Sequence, residues 1–253
     1  MEQTPRRTFI RQMLGGVLAV SLVRSLCAAQ AIGAGVRPVA AKWLAEVEEM
    51  TVDLRGRKVK QAEWQAKMEE LFARLELKDL LRAIDYAELT KAPLFPEDHE
   101  SALDLEFPNV EGLPRELSFI PMFIAFKRGR AIVPHGHHNM VSMHMVLDGE
   151  VHARHYERRG GDSTHLIIEP SLDKRFARGD LSTVSDERAN VHWFKALTGS
   201  VFMFNVAAFG IDGTKNFTGR DYVDPLGGDR LSDGTIRARR LTDKEAFKLY
   251  GNT

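Results

Sequence analysis

Between residues 38 and 92 the apolar positions recur every three or four residues. Trp43, Val47, Trp64, Met68, Leu71 and Leu75 carry the repeat, which breaks near "RGRK" and stops before "KAPLFPEDHE". That spacing predicts amphipathic helices. From about residue 100 the period drops to two or gives way to short apolar runs: "LSFIPMFIAFKRG", "MVSMHMVL", "EVHARHYE", "STHLIIE", "LSTVS", "NVHWFKAL" and "SVFMFNVAAF". Some eight antiparallel strands over residues 100–241 imply a sandwich or barrel. Asp148-Gly149 predicts a two-residue hairpin, with Val146 opposite Val151, His144 opposite Ala153 and Ser142 opposite His155. "PHGHHN" reads as a loop before the first of these two strands, and "DPLGGDRLSDGT" as a glycine-rich loop. Thr242 and Glu245 form a capping box that opens a terminal helix over 242–253.

Composition narrows the class. The chain has 253 residues, 43% hydrophobic and 28% charged, enough for a substantial core. Its formal net charge is zero and it has no basic run, so no nucleic-acid partner is expected. The only cysteine is Cys27, which excludes a disulfide framework and a cysteine metal site. Residues 1–31 read as a leader: "TPRRTFIR" is cationic, "LGGVLAVSLV" mildly apolar, and "AQA" offers small residues for cleavage. Ten apolar residues are too few to span a bilayer. With Arg6-Arg7 ahead of Phe9 and Ile10, the segment resembles a twin-arginine export signal. The resemblance implies the export machinery as a partner, a periplasmic or exported protein, and no stable membrane insertion after cleavage.

Six of the nine histidines fall in "VPHGHHNMVSMHMVLDGEVHARHYE", from Val133 to Glu157. His135 and His137, one residue apart, can project to one side of an extended segment. His192 in "NVHWFKAL" could complete a facial set from a distant strand, with His138 in reserve. Alternation places Ser142, His144, Val151 and His155 on one face, and His152 and Tyr156 on the other. If the first face is interior, His144 and His155 either neighbour a metal or are hydrogen-bonded core residues. His99, His152 and His165 are expected at the surface, and Arg55, Arg57 and "RARR" on solvated faces.

The histidine pair, the following strand and Gly149 resemble the first motif of the cupins, a family of metal-binding double-stranded β-barrels. The resemblance implies a mostly-β jelly roll with a helical segment before it. Where that motif usually places a glutamate ligand, this chain has Ser142. "GRAIVPHGHHNMVSMHMVLDGEVHARHYE" together with "ERANVHWFKALTGSVFMFNV" is more specifically similar to the cysteamine dioxygenase and plant cysteine oxidase family. That resemblance covers roughly residues 129–222 and implies His135, His137 and His192 as iron ligands. The chain departs from the pattern at Asn205, where an aspartate is expected, and at Tyr222 in "GRDY", where a cysteine often stands; "AAFGID" replaces a Pro-Pro-Tyr turn.

Three neutral imidazoles suit one divalent metal, foremost Fe(II), with Ni, Mn, Cu and Zn as alternatives. Without a carboxylate ligand the metal keeps its full charge and favours an anionic ligand such as a thiolate. With dioxygen as co-substrate, a small thiol or N-terminal cysteine would then become a sulfinic acid. Tyr222 and Asp221 are candidates for positioning the substrate; Ser142, His144, His155 and Asn205 are candidate pocket residues. Two alternatives stay open: a cupin oxygenase or isomerase acting on a non-thiol molecule, and a non-catalytic exported metal- or ligand-binding protein. No nucleophile-elbow motif supports a serine hydrolase.

Overall fold

The computed structural model describes residues 36–91, 95, 99–107, 110 and 112–252. The leader read over residues 1–31 lies outside them. Four helices come first: α1 Val36–Arg55, α2 Gln61–Arg74, α3 Leu77–Ala83 and α4 Tyr86–Leu89. Five strands follow, β1 Ser101–Asp104, β2 Ile120–Lys127, β3 Ala131–Gly136, β4 Met140–Asp148 and β5 Val151–Gly161. Then come β6 His165–Phe176, β7 Leu181–Ser185, β8 Val191–Ala196, β9 Ser200–Phe209, β10 Asp221–Arg230 and β11 Ile236–Arg240, and a closing helix α5 Asp243–Tyr250. No helix among the described residues is long and apolar enough to cross a membrane.

All strand pairs are antiparallel. One sheet runs β1-β2-β9-β4-β7; the other runs β10-β11-β6-β5-β8-β3 and closes through β10 pairing with β3. From β2 to β9 the chain visits the two sheets in turn, apart from the β5–β6 hairpin. This is the strand order of a double-stranded jelly roll. The chain is therefore mostly β, with helices before the barrel and a short helix after it, as the cupin resemblance implies.

The expected β4–β5 hairpin does not form. β4 pairs with β7 and β9, and β5 with β6 and β8. Asp148-Gly149 does mark a turn, with Gly149 at φ +80, but it carries the chain from one sheet to the other. The face assignment survives, because parity within a strand does not depend on its partner. Val141, Met143, Met145 and Leu147 face outward and pack with Trp43, Trp64, Met68, Leu71 and Phe72 of the helices. Ser142, His144 and Val146 face inward. Both faces of β4 are thus buried, which explains why "MVSMHMVL" has no clean polar alternation.

Two more expectations need correction. Arg55 is not on a solvated face: its guanidinium donates to the carbonyls of Ser118, Phe209 and Gly210, tying the end of α1 to the start of β2 and the end of β9. "DPLGGDR" is strand rather than loop. β10 runs to Arg230 with an irregularity between Asp224 and Asp229 that absorbs Pro225 and the two glycines.

Candidate metal centre

"PHGHHN" reads as a loop, yet its first three residues are the end of β3. The register between β3 and β8 slips between Ile132 and His135, where a bulge accommodates Pro134. Ile132 pairs with Phe194 and His135 with His192, so three residues on β3 oppose two on β8. The extra residue resets the parity, and Ile132 and His135 both face the interior. His137 follows two residues later on the same side.

His192 stands at the hub. It pairs with His135 across β3 and with His155 across β5. The His135 ring centroid lies 4.3 Å from that of His192 and 4.6 Å from that of His137, and His137 and His192 are 5.5 Å apart. One potential ligand atom from each of the three lies within 4.8 Å of the others. His135 Nδ1 donates to the Val133 carbonyl at 2.7 Å, and His192 Nδ1 to the Asn190 carbonyl at 3.2 Å. Each bond places the proton on Nδ1 and leaves Nε2 with its lone pair, the tautomer a metal requires. Asn190 also donates to the His137 carbonyl at 2.8 Å and the Ser185 carbonyl at 3.1 Å. A Cβ at Gly136 would come within 2.5 Å of Asn190 Oδ1, so glycine is required for this approach. The asparagine of the "NVH" motif thereby holds the His137 backbone with its side chain and the His192 ring with its own carbonyl.

Burial, then the neighbouring histidines and Arg220, hold His135 and His137 well below the ordinary histidine range. His192 is lowered in the same way, by burial and then by His144 and His155. All three are neutral at physiological pH, as coordination demands. The donor set fits a divalent metal: three neutral, inward-facing imidazoles, with a buried Nδ1 of His137 that has no hydrogen-bond partner.

The histidines border a cavity of about 60 Å³ between the two sheets. That is room for a few water-sized groups, well below the ~300 Å³ lower end of drug-sized pockets. Ser142, His144 and Asn205 line the opposite wall. Asn205 donates to Ser142 Oγ at 2.6 Å and to the Met143 carbonyl at 2.9 Å. His144 has a partnerless Nδ1. His155 lies behind His192, at a ring distance of 6.4 Å, and contacts Ser182 Oγ at 3.4 Å. Tyr222, buried, packs on the far side of His135 at 6.0 Å. Asp221 faces away from the cavity, pairing with Arg158 at 3.2 Å and with Arg240. His138 lies outside the three-histidine group and accepts from Arg158 at 2.7 Å.

Sequence reasoning missed one feature. Arg220 and Glu100 both line the cavity and pair with each other at 2.6 Å, with side chains only 14% and 2% exposed. Burial opposes the charge on Arg220, and Glu100 and Tyr222 together more than offset it, so the guanidinium stays ionised. Arg220 belongs to "GRDY", but nothing in the sequence points to a partner 120 residues away.

Burial, then His155, lowers His144 to about 3, and burial, then Arg188, lowers His155 to about 4. Unfolded, these rings protonate near pH 6.5. Below that value the unfolded chain binds more protons than the native one, so stability falls as pH falls through 6.5. Replacing His155 with Gln removes one such group. The slope of urea-derived stability between pH 6 and 5 should become shallower by about 1 kcal/mol per pH unit. An unchanged slope would show that His155 protonates within the fold.

No protein-family model matches the sequence, and no curated protein does. Solved structures do. A procruciferin from Brassica napus matches at 15% identity over 49% of this chain and 29% of its own, with a TM-score of 0.35. An oxalate oxidase matches at 15% identity over 46% and 53%, TM-score 0.34. A cupin superfamily protein from Desulfitobacterium hafniense matches at 13% identity over 49% and 86%, TM-score 0.32. The chain thus spans about half or less of the length of the first two. Likeness at these values says nothing of activity.

Proposed function

We propose that this chain is a metal-dependent cupin enzyme, a non-haem iron(II) dioxygenase that converts a small thiol or an N-terminal cysteine into a sulfinic acid. The observation that carries the reading is the donor set: three buried neutral histidines, with no carboxylate among them, facing a small cavity. His135, His137 and His192 would hold the iron with its full positive charge, and the iron would supply the chemistry that adds both atoms of dioxygen to a thiolate sulfur.

The protein's own contribution is position and dryness. The β3 bulge and Asn190 set the two-strand geometry of the ligands, and the backbone carbonyls of Val133 and Asn190 fix their tautomers. Inward-facing Ile124, Ile132 and Met122 exclude bulk water from one side. Neutral His144 can exchange a hydrogen bond with a bound substrate without adding charge. The leader supports a protein exported folded through the twin-arginine route.

A second reading has its own observation. Arg220 in the cavity favours a substrate with a carboxylate, which a cupin oxygenase or isomerase acting on a non-thiol acid would share. Oxygen uptake separates the two. Iron(II)-reconstituted protein should consume oxygen with cysteamine, cysteine or an N-terminal-cysteine peptide, and the product should gain two oxygens by mass. Stoichiometric iron without thiol-dependent uptake would eliminate the thiol dioxygenase.

A further inference from the structure

The cavity holds a charge pair that the metal centre does not use. Glu100 enters just before β1, and Arg220 enters from the segment between β9 and β10, so the pair meets beside the three histidines. A buried ion pair costs more to desolvate than it commonly returns unless its remaining donors and acceptors are filled. Here they are not. Glu100 Oε2 and Arg220 Nε are both buried without a hydrogen-bond partner, and the Tyr222 hydroxyl lies against the guanidinium. Lining the same cavity as the histidines, a cation with an unused donor calls for an anion; a planar guanidinium suits a carboxylate or a phosphate, and the small cavity favours the carboxylate.

We propose that Arg220 is the specificity-determining residue of the site. It binds the carboxylate of a small substrate whose second donor atom reaches the three histidines, and Glu100 holds the guanidinium in place. The ligand class is a short carboxylate bearing a thiol or another metal-binding group two or three bonds away. A cavity of about 60 Å³ takes a chain of this length and little more. This rests on the reading of His135, His137 and His192 as metal ligands. It narrows the thiol reading: a mercaptocarboxylate is preferred over an aminothiol, whose ammonium would meet Arg220.

Two probes of equal length separate these cases, 3-mercaptopropionate and cysteamine. Titration calorimetry on the full chain loaded with zinc(II), which is redox-inert, measures affinity without turnover. The expected result is 3-mercaptopropionate binding at least ~10-fold tighter than cysteamine. The double variant Arg220→Met, Glu100→Gln, with zinc content and circular dichroism as controls, should lose that preference. Glu100→Gln alone leaves an amide oxygen to hold the guanidinium but removes the competing negative charge, and should tighten 3-mercaptopropionate several-fold, a readout that stands if the double variant does not fold. Equal affinities, no binding of 3-mercaptopropionate, a preference kept without Arg220, or no tightening in Glu100→Gln would each overturn the assignment. The preference without oxygen uptake would remove the dioxygenase and leave Arg220 in its role. Uptake with cysteamine and no preference would do the reverse.

Discussion

His192→Ala should abolish metal binding and activity while leaving the barrel folded. The ring pairs with His135 on one neighbouring strand and with His155 on the other, and lies within 6.4 Å of the His135, His137, His144 and His155 rings. Its loss leaves two donors on one short segment, which cannot close a facial set. Removing a mere outer partner of a metal ligand typically costs 10- to 100-fold in affinity, so removal of a ligand should cost ~100-fold or more. Thermal unfolding with and without metal gives the cleanest reading. At a free metal concentration ~100 times the dissociation constant, the parent protein gains about 2.7 kcal/mol, and the variant should gain no more than about 0.4 kcal/mol. His144→Ala is the matched control, since His144 shares the cavity but stands outside the group of three. It should keep the metal-dependent shift. A His192→Ala protein that still binds one equivalent tightly would sink the three-histidine centre.

How much of this was legible depended on whether the physics was local. Helix spacing around Trp64, Met68 and Leu71 is local, and α2 forms there. Strand character in "SVFMFNVAAF" is local too, and it becomes β9 with every residue after Ser200 buried. That Ser142 and His144 share a face needed only the pleat; that this face is the inner one came from the packing of the helices on the other. The partner of β4 was not legible, because Asp148-Gly149 specifies a turn without specifying which strand the chain turns to meet. Pro134 was read as part of the loop "PHGHHN", yet it lies in β3, where a bulge accommodates a residue with no N–H to give a ladder. His135, His137 and His192 could be named as candidates because a pair and an "NVH" element stand out along the chain. Asn190, which holds the His137 backbone and the His192 ring, sat in that same element and was read only as part of a motif. Glu100 and Arg220 left no local signal at all; an arginine in "GRDY" looks the same whether it faces solvent or a cavity.

That pair also yields a test of stability. Arg220→Met alone should destabilise the metal-free protein by about 3–5 kcal/mol, since it leaves Glu100 buried without its counter-charge. At 2% exposure the carboxylate has little access to water, so solvent screening offers it little relief. Adding Glu100→Gln removes the stranded charge, and most of the loss should return, because a buried ion pair replaced as a unit is often near neutral. Urea unfolding of the parent, the two single variants and the double variant completes the cycle. A coupling energy of several kcal/mol is expected; values below about 0.5 kcal/mol are those of independent sites. Should Arg220→Met prove as stable as the parent, Glu100 must be protonated or reached by water in the fold. In either case the pair would not hold a fixed guanidinium at the cavity, and the case for carboxylate recognition would fall with it.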